Sequence, residues 1–212
     1  MARKKTKQTK EVTKTLVVFS EGEKTEPNYL NGYKADYASD PRAIIIKNSK
    51  NTDPKGIVNE AAKYKSDNKL SKDDQVWAIF DRESVSKYSD QYHKEVSQLA
   101  QSKGILIAFS NVCFEQWLLY HFTCSAKHYS SYDNLITESE LRTKLAEISI
   151  SSYEKGQNIY SKLKDYIDTA ITNAIRIREQ LELSCPGMHP AEKGGYVDID
   201  LLLKAIKEIN KN

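Results

Sequence analysis

The sequence predicts an α/β fold: a mainly parallel four-stranded sheet flanked by helices, followed by a C-terminal helical annex. Three observations predict it. Short β-rich runs alternate with helical patterns from residue 15 to about 120. The runs are continuously apolar rather than alternating, as strands covered by helices on both faces must be. Beyond residue 135 helical periodicity continues with no convincing strand. Strict alternation through short loops brings strands into parallel pairs in a doubly wound sheet.

The elements follow in order. Leu16, Val17, Val18 and Phe19 form the first strand. Thr25 is a good N-cap, with Glu26 and Pro27 in the first turn, where a missing N–H does no harm; a helix is expected over 26–36. A β-branched run at 43–46 is the second strand. Asp53 and Pro54 open a helix whose Ile57, Val58, Ala61, Ala62 and Tyr64 recur at helical spacing. Residues 75–80 are the third strand, and 88–102 a helix stopped by Gly104. Residues 105–109 are the fourth strand, and 113–122 a strongly apolar helix. In the annex, 138–148, 158–183 and 199–209 read as helices, joined to the sheet by a Ser/Tyr/Asp loop at 129–134.

A chain of 212 residues with 39% hydrophobic content can bury one sizeable core. The expected organisation is a basic flexible arm over 1–14, an α/β core over 15–128 and the annex over 129–212. No apolar run approaches the roughly 18–20 residues that span a bilayer, and no hydrophobic stretch accompanies the N-terminal charges, so a soluble, cytoplasmic protein with no membrane partner is expected. Three cysteines are an odd, sparse set that suits a reducing compartment better than a disulfide framework. The net charge of +3 is unevenly placed: residues 1–14 hold six lysines and arginines against one glutamate, which leaves the body slightly acidic. Lys4, Lys5 and Lys7 of that arm could neutralise nucleic-acid phosphates, or simply keep the chain soluble.

In an open parallel sheet, ligands bind beyond the carboxyl ends of the strands. Acidic residues gather there. The first strand runs into Glu21, Gly22, Glu23 and Glu26; the third ends at Asp81, with Glu83 two residues on; Glu115 opens the helix after the fourth. Each alone reads as a cap or a solvated loop residue, and Glu115 and Glu26 suit helix N-termini. Together they would repel by several kcal/mol in a partly buried site unless a cation sat between them. Mg2+ or Mn2+ fits, taking one or two carboxylates, water and phosphate oxygens. The candidate ligands are Glu21, Asp81, Glu83 and Glu115. Residues i and i+2 leaving a strand can turn to one ion, and Gly22 would let a substrate backbone approach.

Four stretches carry a resemblance: VVFSEGEKTEPNYL (17–30), WAIFDRES (77–84), IAFSNVCFEQWLLYHF (107–122) and YEKGQNIYSKLKDYIDTAITNAIRIRE (153–179). Together they resemble the RloB-like family of prokaryotic defence and restriction loci, a divergent branch of the Toprim superfamily. The resemblance implies a Toprim-like sheet and Mg2+-dependent cleavage of phosphodiesters in RNA, such as tRNA, or DNA during antiphage defence, often beside a partner ATPase. It gives Glu21 the role of a general acid/base or metal-facing glutamate, and Asp81 and Glu83 that of the acidic pair that holds magnesium. Glu83 replaces the usual aspartate, and Val112 stands where the family usually has proline.

On this reading Asp81, Glu83 and Glu21 hold metal, Glu115 completes a second ion or orients water, and Lys24 neutralises charge at phosphorus and contacts nucleic acid. Arg82 points away and is assigned no role. Two other classes remain open: a non-catalytic metal- or nucleotide-binding regulatory subunit of an ATPase, and a nucleotidyl transferase. The annex helices permit a homodimer without requiring one. Cys124 and His128, Cys185 and His189 share a C-x3-H spacing, with His121 nearby; a zinc site is conceivable, but that spacing is uncommon and a packed histidine is the safer reading. Tyrosines among Lys155, Lys162 and Lys164 read as helix packing more than base stacking.

Overall fold

The structure, a computed structural model, describes residues 13–211. Residues 1–12 of the basic arm, Lys4, Lys5 and Lys7 among them, lie outside the described residues.

Four strands, β1 (Leu16–Ser20), β2 (Ile44–Asn48), β3 (Gln75–Asp81) and β4 (Leu106–Ser110), form one sheet in the order β2-β1-β3-β4, every pair parallel. Between them run α1 (Thr25–Tyr37), α2 (Pro54–Asp67) and α3 (Asp90–Lys103). The apolar strands have the expected cause. Leu16, Val18, Trp77, Ile79 and Ala108 pack on one side of the sheet, while Val17, Phe19, Val76, Ala78, Phe80 and Phe109 pack on the other. The second layer is α2 and α3, with Ile57, Val58, Ala61, Val96 and Ala100. The first contains α1, α4 (Glu115–Tyr120) and the annex helices α5 (Tyr132–Glu138), α6 (Leu141–Glu147), α7 (Tyr160–Leu163), α8 (Ile167–Ser184) and α9 (Ile199–Glu208).

The strand order fixes where a ligand belongs. From β1 the chain passes to β2 on one side, then returns to place β3 on the other, with α1 and α2 on opposite faces. The carboxyl ends of β1 and β3 therefore flank the point where the winding reverses, where such sheets leave a crevice.

Local chemistry accounts for most boundaries. Asp53 and Ser89 cap α2 and α3 by accepting the N–H of Gly56 (2.9 Å) and Tyr92 (3.1 Å), and Gly104 ends α3 at φ 61°. Thr25 does not cap α1; it is the first helical residue, and its hydroxyl accepts the Gly156 N–H at 2.8 Å instead. The segment 129–134 is not simply a loop: the Ser131 hydroxyl accepts the Asn134 N–H (3.1 Å) and starts α5. The long helix expected over 158–183 is α7, a 3-10 turn (Lys164–Tyr166) and α8, because α7 packs on α1 whereas α8 packs on α4.

The tail after α8 closes the sheet edge. Ser110 and Val197 form an antiparallel bridge, Asn111 N–H donates to the Tyr196 carbonyl (2.8 Å), and Asp198 N–H donates to that of Phe109 (3.1 Å). The Asn111 amide donates to the carbonyls of Ala191 (3.1 Å) and Lys193 (2.9 Å). Among the described residues, no helix is long and apolar enough to cross a membrane.

Candidate active site

Glu21 leaves β1 with its N–H still bonded to the Ile79 carbonyl of β3 (3.0 Å), so the ladder aims its side chain along the sheet edge. Its Oε2 accepts the Asp81 N–H at 3.2 Å. The two residues that sequence placed 60 positions apart are thus neighbours at the winding reversal. Burial raises the Glu21 carboxyl above its ordinary pKa against that hydrogen bond, with help from the charge of Glu83.

Asp81 is buried and its carboxyl is raised well above the usual range, first by burial, then by the charges of Glu26 and Glu21. Glu26 is the member that sequence reasoning underweighted. It is buried rather than solvated, and its carboxyl folds back over Gly22: a Cβ on Gly22 would lie 1.9 Å from Glu26 Oε2. Gly22 thus makes room for a side chain of this protein, not for an approaching substrate backbone. Burial, followed by the Glu115 charge, pushes Glu26 up to about 7 despite a backbone hydrogen bond.

Glu115 is fully buried at the start of α4. Tyr153 of the annex donates its hydroxyl to Glu115 Oε1 at 2.9 Å. Glu115 Oε2 and Glu26 Oε2 are buried with no hydrogen-bond partner. A carboxylate oxygen left so costs about 1–3 kcal/mol or more, and the Glu115 charge is one of the causes that raise Glu26.

Lys155 is the second contribution of the annex. The residue as a whole is exposed, yet its ammonium responds strongly to the cluster: burial lowers its pKa, and the charges of Asp81, Glu115 and Glu26 outweigh this and raise it. It makes no direct ion pair with any of them, and stands 5.2 Å over the Tyr132 ring. Lys24 is exposed beside it. Both line a cavity of about 390 Å3 with Ser152, Glu154, Gly156 and Gln157. A larger cavity, about 800 Å3, opens elsewhere, around Thr13, Gln75 and Asn210, and none of these carboxylates lines it.

Glu83 stands apart. It adopts φ 60°, a left-handed conformation uncommon for a residue with a side chain, so the extended geometry that would aim residues 81 and 83 together ends there. Its carboxylate is held by Lys87 Nζ at 2.9 Å. Arg82 is held by the tail and by α3: its guanidinium donates to the carbonyls of Ala191 (3.1 Å) and Tyr88 (3.1 Å) and pairs with Asp90.

Whether this donor set suits a metal can be judged atom by atom. Among the described residues, no three Asp, Glu, His or Cys side chains form a group that could hold an ion, so Glu21, Asp81, Glu83 and Glu115 do not converge as one ligand set. The chemistry nevertheless fits a hard cation that keeps water and phosphate oxygens: all-carboxylate donors, two with a free buried oxygen. The zinc alternative is overturned. Cys124 is exposed, both His189 nitrogens are engaged, by Ser97 (2.8 Å) and the Ala191 N–H (3.2 Å), and buried His121 bonds Tyr29 (2.9 Å) and Trp117 (3.0 Å).

Comparison with known proteins adds one finding. The model of the family described as RloB-like protein matches residues 16–206, most of the chain. No curated protein and no solved structure matches.

Proposed function

Because the chain belongs to the RloB-like family, we propose that the carboxylates at the winding reversal form the active site of a divalent-metal nuclease that cleaves phosphodiesters of RNA or DNA in antiphage defence. The observation that carries this reading is the hydrogen bond from the Asp81 N–H to Glu21 Oε2 (3.2 Å), which brings the two strand ends together, beside two buried, unpartnered carboxylate oxygens. A structural role alone does not account for them: unlike carboxylates at helix caps, they are buried without enough partners.

A bound Mg2+ or Mn2+ would polarise a phosphate oxygen and make water a better nucleophile at neutral pH. An ion there would be held by one or two carboxylates at a time, from among Asp81, Glu26 Oε2 and Glu115 Oε2, with water and phosphate oxygens as its other ligands. Glu21 keeps Oε2 on the Asp81 N–H, which fixes its rotamer and leaves Oε1 to take a proton from the attacking water. Tyr153 orients Glu115 through Oε1. Lys24 and Lys155 supply positive charge where phosphate oxygens would lie. Glu83 serves by setting the charge around Glu21, not as a ligand.

The test is Asp81→Asn, which keeps the side chain's shape and removes its charge. Mn2+ binding and cleavage of tRNA, single-stranded and duplex substrates should both fall at least about 100-fold. The melting temperature without metal should hold or rise, since a repelled, buried charge is gone. Unchanged cleavage would end the proposal. Wild-type protein that binds Mn2+ through Asp81 yet cuts nothing would favour the non-catalytic reading.

A further inference from the structure

Three of the four carboxylates are closed to solvent. Asp81, Glu26 and Glu115 are 6%, 4% and 0% exposed. If the function proposed above holds, a phosphate and an ion must reach them, so something over them moves.

Residues 154–158 lie where the annex meets the site. The segment hangs between two buried side chains, Tyr153 and Ile159, while four of its own five residues are exposed and Gly156 is half-buried. Its midpoint is fastened to α1 by two hydrogen bonds. Gly156 N–H donates to Thr25 Oγ1 (2.8 Å), and the Asn28 amide donates to the Gly156 carbonyl (3.3 Å). Gly156 sits at φ 93°, a backbone conformation that favours glycine, and a Cβ there would lie 3.2 Å from the Lys24 side chain. The segment is tied to the site on its other side too: Tyr153, the residue just before it, donates to Glu115 Oε1 (2.9 Å), and Lys155 lies between these two attachments.

We propose that 154–158 is a strap that closes the active site: fastened, it covers the carboxylates and provides Lys155 as their counter-charge; unfastened, it admits ion and phosphate. This deepens the nuclease reading and rests on it. The construction suits the task. The ends are anchored in the core, the middle buries almost nothing, and each fastening hydrogen bond shifts an open–closed equilibrium by only about fivefold. Lys155 and a divalent ion compete for the same negative charge, so the strap favours the empty state and the ion favours opening.

The experiment compares wild type with Thr25→Val and with Thr25→Val/Asn28→Ala, using Mn2+ alone as the probe and electron paramagnetic resonance to count free ion. A closed strap reduces apparent affinity by the fraction of time it is open, so the double variant should bind Mn2+ at least about fivefold more tightly. Hydrogen exchange at 154–158 should quicken. Faster exchange with unchanged or weaker Mn2+ binding would overturn the strap, as would wild-type exchange already at the rate of an unstructured peptide. Tighter Mn2+ binding with no cleavage in any variant supports the strap and sinks the nuclease. Mn2+ binding insensitive to Asp81→Asn removes the metal site, and both inferences with it.

Discussion

Glu26 and Gly22 show how one residue's absence of a side chain sets another's chemistry. Glu26 sits in the first turn of α1, where a carboxylate is welcome for reasons of the helix dipole alone. Its carboxyl is instead buried and folds back over Gly22, in the bend that precedes α1, and its charge is among those that raise Asp81. Gly22→Ala tests this coupling. The added methyl meets the end of a flexible side chain, so the fold should survive with a melting temperature within roughly 2 °C of wild type. Glu26 must swing away, and Mn2+ affinity and cleavage should each drop by about tenfold or more. Equal metal binding in the two proteins would show that Glu26 is not a ligand. None of this was open to sequence reading: Glu26 beside a helix start has an ordinary explanation, and only the tertiary fold shows that it lacks solvent.

At the scale of elements, strand runs and caps were legible because they are local. Four continuous apolar runs appear as four strands, each shifted by a residue or two, and Asp53 and Gly104 act as their chemistry dictates. Glu21 and Asp81 were legible for the same reason, since a strand end is a place that sequence can name. Glu83 does not follow the i, i+2 expectation, because that rule holds only while the chain is extended. Lys155 and Tyr153 were out of reach; they arrive from the annex, and no periodicity links residue 155 to residue 81. The tail bound to β4 was equally hidden. There, burial raises Asp198 to about 7 although it accepts the Phe109 N–H. With its folded pKa above the ordinary value of 3.8, the stability it contributes is complete below pH 4 and is lost as pH rises through 7. Asp198→Asn keeps an oxygen for Phe109 and an amide for the Tyr196 hydroxyl. It should gain on wild type across that interval by about 1 kcal/mol or more, roughly 2–4 °C in Tm at this chain length. Thermal melts at pH 4.5 and 7.5 check it: an equal difference at both values would rule out a titrating Asp198.

Across the whole molecule, sheet and annex share one core and one site, which bears on whether the α/β part can stand alone. One sheet face and α1 pack in the same cluster as Leu163, Ile167, Ala170, Ala174, Leu202, Leu203 and Ile206, all buried and all from the annex. Asn111 and Phe109, at the edge strand, find backbone partners in Tyr196 and Asp198. Cutting the chain after residue 128 would expose that apolar face and unpair that edge, and it would take Tyr153 from Glu115 and Lys155 from the cluster. Each fully exposed Leu or Ile partner site loses about 1.5–3 kcal/mol, so five such sites lose roughly as much as the about 5–15 kcal/mol that holds a typical domain together. A fragment of residues 13–128 is therefore expected to aggregate or to bind a hydrophobic dye without a cooperative melt, and to bind no Mn2+. The full chain should unfold in a single calorimetric transition whose van't Hoff and measured enthalpies agree. A soluble 13–128 fragment that melts cooperatively and binds Mn2+ as the full chain does would mean that the annex merely leans on a self-sufficient site, and the strap would then lose its reason to exist.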